Sequence, residues 1–289
     1  MKYLFTVVAA CLLSFHLSAQ DSTYSKWSVT PGIEMNMVPV IDPGKADSSG
    51  SSLSVAPYIK FQFYSGIGIK AQAYLLTSGP QPGYYMTSLS PFYSIDKKKI
   101  SMDISYSHFF IKGNTAMLYT PITNELYASL TYKAGSVSPV GGVDIGFGTD
   151  TSNQANTSAT DVNIFLGATH SFDWDLGATT SLNFSPRVLF NIGTDRYFEF
   201  LQSTGFITHG NNFKKIIKTN VHANGHRGNK TTTSLPSIAV NNLETSADLN
   251  FSIGHFSIEP EASLFIPFAA DGEGVFGYWQ IGISYKLGK

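Results

Sequence analysis

The chain has 289 residues and a formal net charge of −1, and only 13% of its residues are charged, about half the soluble average. With no basic footprint, nucleic acid is not expected as a partner. The length admits one large domain or two ordinary ones, and the single cysteine, Cys11, falls in the first apolar run.

Residues 1–19 read as a secretory signal. Lys2 supplies the positive start, Tyr3 to Leu17 the apolar core, and Leu17-Ser18-Ala19 a small-residue cleavage site. The mature domain is then expected to be 20–289, starting at Gln20. The apolar run is too short to span a bilayer comfortably as a retained anchor. Val8-Ala9-Ala10-Cys11 faintly suggests a lipoprotein signal, but Leu12 and Leu13 continue the apolar core past it. Losing the leader removes Cys11, which excludes disulfides and thiol chemistry. No later stretch approaches 18 consecutive apolar residues, so transmembrane helices are not expected. Without helices, only a closed barrel can span a bilayer.

From Trp27 onward, apolar and polar residues alternate in segment after segment. The predicted strands are 27–40, 53–63, 67–78, 84–95, 100–112, 124–134, 137–149, 161–172, 176–193, 243–253, 256–268 and 275–287. In the fifth, Ile100, Met102, Ile104, Tyr106, His108 and Phe110 share one face, and Ser101, Asp103, Ser105, Ser107 and Phe109 the other. An apolar side on every strand is what a lipid-wrapped barrel requires. The expected fold is all-β: a single antiparallel transmembrane barrel of about twelve strands. Tyr197–Leu201 and Ser237–Val240, within the long 194–242 connection, either extend the barrel wall or add two strands, which would make the count fourteen.

The connections alternate between tight turns and longer loops, which places short turns and both termini in the periplasm and long loops outside. Turn length predicts pairing across the tight turns: Ala134 opposite Val137, Ile253 opposite Phe256, and Lys60 opposite Lys70 around Tyr64-Ser65-Gly66. Asp248 falls opposite Glu261, and Asn250 opposite Glu259. Pro57, Pro91, Pro139, Pro186 and Pro260 all fall on lipid-facing positions. Each lacks a ladder N–H, so bulges or bends are expected there. The rival to the barrel is a soluble double sheet, which would turn its apolar face inward.

On the last strand, Gln280, Gly282, Tyr285 and Leu287 follow a polar-x-Gly-x-x-aromatic-x-hydrophobic pattern. On these residues the chain resembles bacterial outer-membrane barrel proteins, and the signal ending in Ala19-Gln20 resembles the Bacteroidetes type. The resemblance covers the whole mature chain as architecture. Gly288 and Lys289 follow the motif, whereas many members of that family end on the aromatic or hydrophobic residue. The resemblance implies residence in the cell outer membrane, contact with its lipid and lipopolysaccharide, and delivery by the barrel assembly machinery.

The inward face carries Lys60, Lys70, Lys133 and Arg187 against Asp103, Glu125, Asp144, Glu244, Asp248, Glu259 and Glu261. Lys60, Lys70 and Arg187, with Asp248, Glu259 and Glu261, are the candidate selectivity residues. A basic pair on one wall facing acids on another would set a transverse field suited to small polar or zwitterionic solutes. The alternative is a filled lumen in which these charges pair. In loop 194–242, Lys214, Lys215, Lys218, Arg227 and Lys230 form a candidate patch for lipopolysaccharide phosphates or an external ligand. Tyr197, Phe198, Phe200 and Phe206 precede them there.

His222 and His226 have helical i,i+4 spacing, but Ala223-Asn224-Gly225 is poor helix, so no metal and no cofactor are expected. His108 and His170 are read as interfacial girdle residues rather than the bases of a lipid hydrolase, together with Trp27, Trp174, Trp279, Tyr85 and Tyr285. Only Gln20 to Lys26 precede the first strand, so neither a plugged energy-coupled transporter nor a fatty-acid channel with an N-terminal hatch is expected. The leading expectation is a porin-like channel for small polar solutes. A non-transporting barrel that binds through its large loop comes second, and a barrel enzyme third.

Overall fold

The computed structural model describes residues 27–41, 49–78, 82–112, 122–150, 157–194, 238–268 and 275–288. They form β1 (Trp27–Ile41), β2 (Ser49–Phe63), β3 (Ile67–Leu76), β4 (Gly83–Asp96), β5 (Ile100–Ile111), β6 (Ile122–Tyr132) and β7 (Ser138–Asp150). These are followed by β8 (Thr157–Thr169), β9 (Phe172–Gly177), β10 (Thr180–Thr194), β11 (Ile238–Ile253), β12 (Phe256–Pro267) and β13 (Phe276–Tyr285). Every neighbouring pair is antiparallel. β1 pairs with both β2 and β13, and β10 with β11, so the sheet closes on itself.

β8 and β9 are two pieces of one wall strand. Both pair with β10, and the register is the same on either side of the break, with Arg187 opposite Thr169 and Phe184 opposite Phe172, before it shifts at Thr180/Ser181. The ring therefore has twelve wall strands.

Alternation decides which side faces out. Phe110 and Leu166 are 52% and 53% exposed on the outer surface, while Glu244 and Lys70 are 1% and 2% exposed inside. This inverts the usual placement of apolar and charged residues and matches a barrel wrapped in lipid. A soluble double sheet would do the opposite, so that rival is set aside.

One expectation about the ninth strand needs correction. The turn expected at Asp173–Asp175 is strand, and the chain reverses instead at Ala178-Thr179. Two aspartates suggested a turn, but Trp174 stacks on Phe172 at 5.9 Å and the segment completes its ladder with β10. Of the two alternatives for Ser237–Val240, the described part, Ile238–Val240, extends the barrel wall: it lengthens β11 against β10 beyond a bulge at Asn191/Ile192. Tyr197–Leu201 lies outside the described residues.

The prolines do not produce the expected bulges. Around Pro57 the β2–β3 ladder pairs Val55 with Leu75, skips, and resumes with Tyr58 opposite Gln72 in the same register. Pro91 interrupts β4–β5 between Leu89↔His108 and Phe92↔Ser105, and Pro260 interrupts β11–β12 between Asp248↔Glu261 and Phe251↔Ile258. Pro31 does the same between Val29↔Leu287 and Gly32↔Ser284. Pro139 adjoins the end of the β6–β7 ladder at Thr131↔Val140. Pro186 stands opposite the break between β8 and β9, where its carbonyl accepts the His170 N–H at 3.1 Å and the Thr169 hydroxyl at 3.0 Å. A missing donor removes a rung, but no residue is inserted, so the strands do not slip.

A true bulge occurs where β3 meets β4, between Tyr74 and Leu75. It gives β4 an extra residue and turns Tyr85 inward, where it is 1% exposed and its hydroxyl lies 3.1 Å from Ser54 Oγ. Tyr85 is therefore a lumen residue and not part of an outer girdle.

Candidate functional site

The candidate site is the barrel interior, lined by alternate residues of every wall strand. Among the described residues its inward carboxylates include Glu34, Asp103, Glu125, Asp144, Asp161, Glu244, Asp248, Glu259 and Glu261, with Asp173 and Asp175 in the same phase at the β9 end, set against the cations Lys60, Lys70 and Arg187. Like charges lie side by side as the tight turns dictate: Lys60 is opposite Lys70 and Asp248 opposite Glu261. The wall separates them with partners brought from other strands.

The principal partner is Glu34, which the sequence reading omitted. It accepts from Lys70 Nζ at 2.8 Å and from Gln72 Nε2 at 2.7 Å, although β2 runs between β1 and β3. The small Ala56 sits opposite Glu34 and lets its carboxylate reach past. Lys70 Nζ also lies 4.3 Å from the centre of the Tyr58 ring. That ring occupies the space above Gly32, where a Cβ would approach Tyr58 Cζ to 2.4 Å. Glu34 has the same phase as Asn36 in β1, so parity alone could have placed it inside.

Four other expected residues, Arg187, Asp248, Glu259 and Glu261, also find partners. Arg187 Nη2 donates to Asp248 Oδ2 at 3.1 Å, with both side chains about a quarter exposed. Gln280 Nε2 donates to Glu261 Oε2 at 2.9 Å, and Tyr278 OH donates to Gln280 Oε1 at 2.8 Å. Asn36 Nδ2 donates in turn to Tyr278 OH at 3.3 Å, tying β12, β13 and β1 together across the inner wall. Asn250 Nδ2 donates to Glu259 Oε1 at 3.0 Å. Lys60 has no ion pair among the described residues, and its ammonium lies 5.0 Å from the centre of the Phe92 ring. Lys133 lies at a turn, where it pairs with Asp96, both exposed.

Exposure divides the interior into two halves. Near the tight turns, Tyr58, Lys60, Asp103, Arg187, Asp248 and Glu259 keep contact with solvent. Toward the long connections, Tyr74, Tyr85, Phe109, Phe265 and Tyr278 are buried with Glu125, Asp144, Asp161, Asn163, Asn191, Asn242 and Glu244. There Asn163 donates to Asn191 Oδ1 at 3.0 Å, and Asn191 donates to Asn242 Oδ1 at 2.8 Å. Tyr127 stacks on Phe165 at 5.8 Å, packed with Val140 and Leu189. Asp161 is a further inward residue not expected from the sequence, because it falls at the end of the predicted strand 161–172.

On the outer surface, His108 meets the edge of Phe110 at 4.5 Å and bonds Asn124 Oδ1 through Nδ1 at 2.8 Å. His170 meets Phe172 at 4.1 Å. Among the described residues, no group of three or more His, Cys, Asp or Glu is arranged to hold a metal ion. His222 and His226, and the loop cations Lys214, Lys215, Lys218, Arg227 and Lys230, lie outside the described residues, as does the 1–19 leader.

No family model matches the chain, and no curated protein matches it. Among solved structures it is similar to the NanC porin, with a TM-score of 0.41 at 7% identity, covering 89% of this chain and 100% of that one. It is also similar to the translocator domain of the autotransporter NalP from Neisseria meningitidis, with a TM-score of 0.40 at 10% identity over 99% and 96%. OccK8 of Pseudomonas aeruginosa gives a TM-score of 0.24 at 10% identity over 91% and 98%.

Proposed function

We propose that this chain is a cell outer-membrane barrel that passes small polar solutes and favours cations. One observation carries the reading: a polar inner wall runs inside an apolar cylinder, and among the described residues its carboxylates outnumber its cations. The end with tight turns then faces the periplasm and the long connections face outward. The signal-like leader and the assembly motif at Gln280 to Leu287 support delivery to that membrane. The phenylalanine-backed His108 and His170 serve as girdle residues at the lipid interface, with no catalytic role.

Conductance of the purified, folded chain in planar bilayers tests this directly. A salt gradient should give a reversal potential of cation-selective sign. Absence of conductance from folded protein overturns the channel. In that case the second reading takes its place: a barrel with a packed lumen that acts by binding an external ligand or another envelope protein. The near-complete burial of inward side chains in the far half is the observation that favours this second reading.

A further inference from the structure

The partners described above neutralise the inner wall unevenly. Lys70 is held by Glu34 at 2.8 Å and Arg187 by Asp248 at 3.1 Å. Lys60 and Glu259 stand apart from these pairs. Lys60 has only the Phe92 ring face against its ammonium, with no ion pair among the described residues. Glu259 is exposed and accepts a neutral amide from Asn250 at 3.0 Å. The two belong to β2 and β12, with β1 and β13 between them. Each lies within electrostatic reach of the other, while Asp103 and Lys70 also act on Lys60, and Glu34 and Lys70 on Glu259. The Tyr58 ring, laid over Gly32 of β1, fills the wall between the strands that carry them. The solvent-open half of the lumen thus presents a cation and an anion on either side of an aromatic surface.

We propose that Lys60 and Glu259 form a binding site for a zwitterionic solute of the α-amino-acid type. The solute's carboxylate meets Lys60, its ammonium meets Glu259, and its apolar group lies against the part-exposed Tyr58 ring, while the buried Phe92 backs Lys60. The charge-assisted contacts at the two ends give orientation, and the aromatic face gives tolerance for side-group shape. The site deepens the channel reading and rests on it for its physiological role, but binding is measurable without transport.

The test uses the full chain folded in detergent micelles, with L-leucine as probe and acetate and ethylammonium as single-charge controls. Saturation-transfer NMR should show saturable leucine binding that exceeds both controls. K60Q and E259Q should each weaken it about tenfold, the loss of one charge-assisted contact, while K133Q leaves it unchanged. The folded state of each variant is checked by its heat-modifiable electrophoretic shift. The site is overturned if folded wild type does not bind leucine, if either variant binds as wild type, or if acetate binds as well as leucine. A barrel that binds leucine but does not conduct defeats the channel and keeps the site.

Discussion

The two halves of the lumen are built from the same strands and differ in how their charges are satisfied. Near the tight turns, ions pair singly across strands and stay wet, as with Arg187 and Asp248, or have no ion pair among the described residues, as with Lys60. Toward the long connections, asparagines, tyrosines and carboxylates are buried in shared hydrogen bonds, with aromatic rings filling the space between them. Burial strengthens each polar contact and raises the cost of losing one. The wet half is thus suited to exchanging ligands and the dry half to keeping its shape.

The largest predicted effect is at the border between the halves. E34L removes the carboxylate from Lys70, whose side chain is 3% exposed, and should cost about 3 kcal/mol in urea unfolding of the folded barrel. An E34L/K70M pair should recover much of that loss. A double variant as unstable as E34L would show that the ion pair is not what matters. Next, trimming the dry half with Y85A should raise single-channel conductance by roughly twofold, if the Tyr74–Tyr85 contact at 5.9 Å marks the narrow level. Unchanged conductance would place the constriction elsewhere.

A smaller effect is expected from P57A, which restores a backbone donor to the interrupted β2–β3 ladder and should stabilise by about 1 kcal/mol. Slower hydrogen exchange at Ala56 and its neighbours would report it. Smallest is K133Q at the exposed turn, which should change stability by less than about 0.5 kcal/mol despite the ion pair with Asp96.

The sequence made the wall legible and left its cross-connections hidden. Strand phase and turn length are local, so the pairing of Lys60 with Lys70 and of Ile253 with Phe256 follows from counting residues. The bond from Glu34 to Lys70 spans an intervening strand. It depends on Ala56 being small and on Tyr58 lying over Gly32, which no count of turn residues encodes. Tyr85 was misplaced because a bulge shifts phase by one residue and leaves no mark in alternation. The turn at Ala178-Thr179 was hidden because Asp173 and Asp175 resemble turn residues while serving as the polar phase of β9. Of the inward charges in the wet half, Arg187 and Asp248 pair with each other, while Lys60, Asp103 and Glu259 have no ion pair among the described residues.

The interrupted ladders bear on the time before the cylinder exists. Unpaired, each of these segments is an amphipathic strand with one oily face, a template on which other chains could stack. A proline on that oily face spoils one edge of the template, because an incoming strand finds a missing donor wherever it docks. Pro31, Pro57, Pro91, Pro186 and Pro260 spread that protection around the ring. Once the neighbouring strand arrives in register, the surviving rungs on either side carry the join. The same five residues that weaken the finished wall by one rung each would keep its unfinished pieces apart.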